Sequence, residues 1–196
     1  MKIPIDPKIK GLIFDIDGTL ADTMPLHYEA WQDVGKKFDF VFPEDFFYEM
    51  AGIPTWKLIG IFNERYGYSL EKELITKEKE NAVFEKLKKA KPILPVVEVV
   101  WEYFGKLPMS LGTGGKRKFA SLVIESIGLK NYFDILVSSE DVENHKPFPD
   151  TFLKCAQLMK IDPKDCLVFE DGELGLEAAA RAGMQSVDIR KYLKKS

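Results

Sequence analysis

Residues Gly11-Leu12-Ile13-Phe14-Asp15-Ile16-Asp17-Gly18-Thr19-Leu20 constrain this chain more than any other stretch. They begin as an apolar run of strand length and end on two carboxylates, a glycine and a hydroxyl. A continuous hydrophobic run is what a strand buried on both faces of a parallel sheet requires. Acids inside such a strand are costly unless paired or metal-bound. They therefore belong at its carboxyl end, where open α/β sheets place their ligands. Asp-x-Asp-Gly on its own is also an ordinary turn sequence. The apolar run before it and Thr19-Leu20 after it make a site the better reading.

The rest of the chain supplies a matching rhythm. Helix-start signals at Asp22-Thr23-Met24-Pro25 open an aromatic-rich, helical stretch with no second buried strand before about residue 91. Its run from Leu70 to Ala90 intersperses glutamate and lysine and predicts a solvated helix. Lys91-Pro92-Ile93-Leu94-Pro95 then punctuates the chain. Beyond it, strands are predicted at 108–112, 134–138, 166–169 and 186–189, alternating with helices. Five strands alternating with helices predict an α/β fold with a doubly wound, Rossmann-like parallel sheet. About seventy residues after the first strand are too many for a loop. They predict a helical cap domain over 22–92, inserted into a core domain of 1–21 and 93–196 and able to cover the acids.

Four of the strand ends carry polar groups: Asp15 and Asp17; Thr113 with Gly114 and Gly115; Lys146 in His145-Lys146-Pro147; and Glu170 with Asp171. Each alone has a plain explanation as a cap, a loop lysine or a turn. All four at carboxyl ends of one parallel sheet share one crevice. Two carboxylates about 4 Å apart repel by roughly 4 kcal/mol at an effective dielectric near 20. Four acids therefore need a cation, and an all-oxygen set with few protein ligands suits Mg²⁺. Lys146, the Thr113 hydroxyl and the amides at Gly114 and Gly115 suit a phosphoryl group bridging to that ion.

In order and spacing, these segments resemble the four motifs of the haloacid dehalogenase superfamily, and the insertion resembles the helical cap of its β-phosphoglucomutase-like members. The resemblance implies Asp15 as the nucleophile that becomes an aspartyl phosphate. It implies Asp17 as the acid that protonates the leaving oxygen and then activates water. Thr113 and Lys146 would hold phosphoryl oxygens. Mg²⁺ would be held by Asp15, the Asp17 backbone carbonyl and Asp171, with Glu170 at or near the ion. Gly18 and Thr19, in the turn after the acids, are candidate substrate contacts. The mutases carry Lys-Gly-x-x-Arg in the cap to grip a second phosphate. Ala51-Gly52-Ile53-Pro54-Thr55-Trp56 stands there instead, without that lysine and arginine. Water is then the expected acceptor, and small bacterial fructose-1-phosphatase-like enzymes are the narrower resemblance. Gly52, Thr55 and Trp56 are candidate substrate contacts, with Trp56 either against a sugar face or in the core. His27 reads either as a structural histidine or as one that positions Asp17.

The 196 residues have 45% hydrophobic and 30% charged content and a net charge of −3, with no basic block to suit nucleic acid. No membrane-length apolar run or signal-peptide core is present, so a cytoplasmic monomer acting on a small phosphorylated metabolite is expected. Cys155 and Cys166 fall on apolar stripes and read as small buried hydrophobes. The competing readings are a β-phosphoglucomutase, a receiver domain that keeps its phosphate, and a dehalogenase.

Overall fold

A computed structural model describes residues 2–193. The chain runs β1 (Gly11–Phe14), β2 (Ala21–Asp22), α1 (Met24–Phe38), α2 (Glu44–Glu49), α3 (Thr55–Tyr66), α4 (Lys72–Leu87) and β3 (Lys91–Pro92). It continues as α5 (Leu94–Tyr103), β4 (Met109–Gly112), α6 (Arg117–Ser126), β5 (Leu136–Val137), α7 (Asp150–Met159), β6 (Cys166–Glu170), α8 (Glu173–Arg181) and β7 (Gln185–Asp188). Five strands form one parallel sheet in the order β5-β4-β1-β6-β7. β1, β4 and β6 are buried along their whole length, as their unbroken apolar runs predict.

Two apolar layers sandwich the sheet. Leu12, Phe14, Leu111, Leu167 and Phe169 pack on one side against α5 and α6. Ile13, Val168, Phe152 and Ala178 pack on the other, beneath α7 and α8. Cys155 and Cys166 belong to this second layer as free thiols, which burial pushes up to about 12 and about 11.

Between β1 and β4 the chain builds α1–α4 around aromatic residues of their own. Trp31 stacks on Phe42 at 4.1 Å, and Phe62 packs on Phe42, Phe46 and Tyr68. The chain leaves and re-enters the sheet layer through a two-residue antiparallel ribbon, Ala21 opposite Pro92 and Asp22 opposite Lys91. So short a pairing leaves no mark on sequence periodicity. The α4 helix corrects one expectation: it is not merely solvated. Ile75, Thr76, Lys79, Val83 and Leu87 are buried along one face.

Candidate active site

The parallel register sets the site. β1 and β6 run side by side, so the turns that leave their carboxyl ends deliver Asp15–Thr19 and Glu170–Gly172 to the same place. β4 on the other flank of β1 delivers Thr113–Gly115. A cavity of about 120 Å³ lies between these ends and α1–α4. Its wall includes Asp15, Asp17, His27, Thr113, Gly114, Gly115, Glu170 and Asp171, together with Gly52, Thr55 and Trp56.

Lys146 reaches this point from the loop before α7, its side chain buried and its ammonium 4.8 Å from the centre of the Phe152 ring. Its Nζ donates to Asp15 Oδ1 at 2.7 Å and to Glu170 Oε1 at 2.5 Å. The second Glu170 oxygen accepts from the backbone amides of Asp171 and Gly172 at 2.7 and 2.8 Å. Glu170 therefore fixes both the lysine and its own turn. One oxygen each from Asp15, Glu170 and Asp171 lies within 4.8 Å of the others, an arrangement able to hold a hard divalent ion. Burial pushes the Asp15 carboxyl well above the usual range; Lys146 opposes this, while Glu170 and Asp171 add to it. Asp171 rises to about 7 through burial and the Glu170 charge. Carboxylates held so reluctantly ionised are what a cation at this point would relieve.

Gly18 and Thr19 are not part of the cavity wall. Thr19 Oγ1 donates to Asp171 Oδ1 at 2.9 Å, and the Asp171 carboxylate lies where a Gly18 side chain would begin. Gly18 also has a φ of +86°, which disfavours any other residue. Both residues brace Asp171.

Asp17 lines the same cavity but is not one of the three clustered acids. Its Oδ1 accepts from Thr23 Oγ1 at 2.7 Å and lies 3.3 Å from His27 Nε2. On the far side of that ring, Lys79 Nζ donates to His27 Nδ1 at 2.7 Å. An ammonium can only donate, so Nδ1 accepts and His27 carries its proton on Nε2, directed at Asp17. Burial works to raise Asp17, but His27, Thr23 and Lys79 together hold it below the usual range. Burial and the neighbouring Lys79 lower His27. Burial lowers Lys79 to about 8.

Sequence reasoning missed Lys79, although Ile75, Lys79, Val83 and Leu87 recur every four residues, which places a lysine inside an apolar helical stripe. Thr113 Oγ1 accepts from the Gly115 amide at 3.0 Å, leaving its own proton free for a ligand. Gly114 packs against the Gly52 carbonyl so closely that no side chain fits between them. Trp56 is 48% exposed and meets the His145 ring edge-on at 6.2 Å, so it is not a core residue.

The haloacid dehalogenase-like hydrolase family matches residues 12–189. The chain belongs to this family. It is 40% identical over 180 residues to the fructose-1-phosphate phosphatase YqaB of Escherichia coli, covering 92% of this chain and 96% of that one. A phosphorylated carbohydrates phosphatase of Thermotoga maritima is 30% identical over 183 residues, covering 91% and 84%. A β-phosphoglucomutase structure from Clostridium difficile superposes with a TM-score of 0.80 at 27% identity, covering 91% of this chain and 83% of that one. The chain is thus a haloacid dehalogenase-like phosphatase, a hydrolase of phosphate esters. No helix among the described residues is long and apolar enough to cross a membrane.

Proposed function

We propose that this enzyme is a Mg²⁺-dependent phosphatase of small phosphosugars, fructose 1-phosphate among them, that works through an aspartyl phosphate on Asp15. The observation that carries the reading is the buried Lys146 ammonium joining Asp15 to Glu170, with Asp171 beside them. The names of the fructose-1-phosphate and phosphorylated-carbohydrate phosphatases support the substrate class.

An Asp15 oxygen attacks phosphorus in line with the leaving sugar oxygen, and that P–O bond breaks as the new one forms. Lys146, the Thr113 hydroxyl and the Gly114 amide hold the phosphoryl oxygens, while the Gly115 amide holds the Thr113 hydroxyl in place. Those three donors oppose the charge that develops on the phosphoryl oxygens. Mg²⁺ held by Asp15, Asp171, the Asp17 carbonyl and, at or near it, Glu170 would supply further neutralisation of the phosphoryl charge. Asp17 delivers a proton to the leaving oxygen and takes one back from the water that cleaves the acyl phosphate. An arriving phosphate dianion raises the affinity of Asp17 for that proton. The Thr23–Asp17–His27–Lys79 chain fixes where the proton is handed over.

Residues 22–92 are proposed to act as a cap that shuts over a monomer's self-contained site, with Gly52 seated on Gly114. Closure would exclude bulk water, so that the single water admitted is the one Asp17 activates. A panel of phosphorylated metabolites with Mg²⁺ tests this. Phosphate should be released from small phosphosugars, and Asp15→Asn should release none. Turnover by Asp15→Asn would overturn the nucleophile assignment. Accumulation of glucose 6-phosphate from β-glucose 1-phosphate with a trace of bisphosphate would identify a mutase instead.

A further inference from the structure

Away from the acid cluster, the basic side chains of the cavity wall are His27, Lys79 and Lys116. His27 and Lys79 are bonded to each other. Lys116, just ahead of α6, has its Nζ 2.5 Å from Oε1 of Glu80, the residue after Lys79 on α4. The pair therefore bridges the helical insertion and the sheet layer across the cavity. Its side chains are 41% and 24% exposed, and ion pairs this open add little to stability. Elsewhere on the wall, Ala51-Gly52-Ile53-Pro54-Thr55-Trp56 brings no charged side chain. Among the described residues, the wall beyond the acids thus offers an incoming ligand no cation without a partner.

We infer that Glu80 is a specificity-determining residue: its carboxylate cancels Lys116 and so denies the cavity a seat for a second phosphoryl group. The inference rests on the phosphosugar reading above and deepens it. A Glu80–Lys116 pair presents an acceptor and a donor side by side, which suits neutral sugar hydroxyls. Toward a second phosphate the same carboxylate is a repulsive element, and discrimination between ligands commonly depends on such elements. Removing Glu80 would convert a satisfied ammonium into an open anion site.

The test compares kcat/KM for fructose 1-phosphate and fructose 1,6-bisphosphate, with Mg²⁺, in the wild type, Glu80→Gln and Lys116→Met. Glu80→Gln should raise the bisphosphate-to-monophosphate ratio by about tenfold, and Lys116→Met should lower it. The Glu80→Gln shift should shrink as salt is added. A purely structural role would depress both substrates alike. An unchanged ratio in Glu80→Gln, or both variants moving in one direction, overturns the inference. The same ratio measured as calorimetric affinity in an Asp15→Asn background does not depend on turnover. A shifted affinity ratio with no hydrolysis by the wild type would refute the phosphatase reading and leave the role of Glu80 standing.

Discussion

Two lysines are buried on opposite sides of one site, and they are held in opposite ways. Lys146, on the sheet side, touches two carboxylates, and although burial opposes its charge, Asp15 and Glu170 drive its proton affinity above the ordinary lysine range. Lys79, on the helical side, touches no carboxylate, meets an imidazole, and is pushed down to about 8 by burial. The sheet side is built to keep a positive charge in place whatever else binds. The helical side holds a charge at a cost, where that charge can orient His27 and through it Asp17. One pole is a fixture and the other a setting, and each can be broken separately.

Breaking the fixture has the largest expected effect. In Lys146→Met the Asp15 and Glu170 carboxylates face each other without the ammonium. Stranding one side of a buried ion pair costs about 3–5 kcal/mol. Chemical denaturation should show that loss at pH 7, and phosphate release should fall by about 10²–10³-fold, as for loss of one positioned electrostatic group. A Lys146→Met protein of undiminished stability would mean that the ammonium does not hold the two acids together.

Breaking the setting should look different. An unfolded lysine titrates near 10.5, while Lys79 in the fold is near 8. Below pH 8 both states bind the proton, and the folded protein bears the full penalty of about 3 kcal/mol. Between about 8 and 10.5 the unfolded chain holds the proton more tightly, so the wild type should gain stability as pH rises through that window. Lys79→Met should lose this slope, and its turnover should fall about ten- to a hundredfold as Asp17 loses its orientation. Identical stability–pH curves for wild type and variant would show that the fold does not lower the proton affinity of Lys79.

Metal-free protein should also reveal the acid cluster through pH. Asp171 is near 7 in the fold against 3.8 unfolded, so its ionisation is harder in the folded state. Stability should therefore decline as pH rises from about 4 to about 7, and saturating Mg²⁺ should flatten that decline. A metal-independent profile would argue against the three carboxylates as an ion site.

The same contrast explains what could be read from sequence. The sheet side was legible because buried parallel strands write themselves as apolar runs, and whatever polar residues follow them must share one edge. Asp15, Thr113, Lys146 and Glu170 announce themselves in this way, and the fold places all four around one point. The helical side was legible only in outline. Lys79 is hidden in a Lys/Glu-rich run because it occupies a slot normally filled by a leucine, and only its four-residue spacing from Ile75 and Val83 betrays it. The Ala21–Pro92 ribbon is too short to carry any periodicity. Gly18 and Thr19 read as ligand contacts because their types suit a phosphate, yet their geometry serves Asp171.

Trp56 gives the smallest expected effect and the sharpest division between the two sides. Half of its surface is open, it meets the His145 ring edge-on, and the Lys57 ammonium lies 5.4 Å from its ring centre. Truncating it removes an aromatic face from the cavity wall and little buried packing. Aromatic contacts of this kind are worth about 0.5–1.5 kcal/mol. Trp56→Ala should therefore raise KM for a phosphosugar by about three- to tenfold while leaving kcat and the melting temperature nearly unchanged. A fall in kcat with KM unaltered would place Trp56 in the closing of the helices over Asp17, and the helical side would then have a second setting besides Lys79.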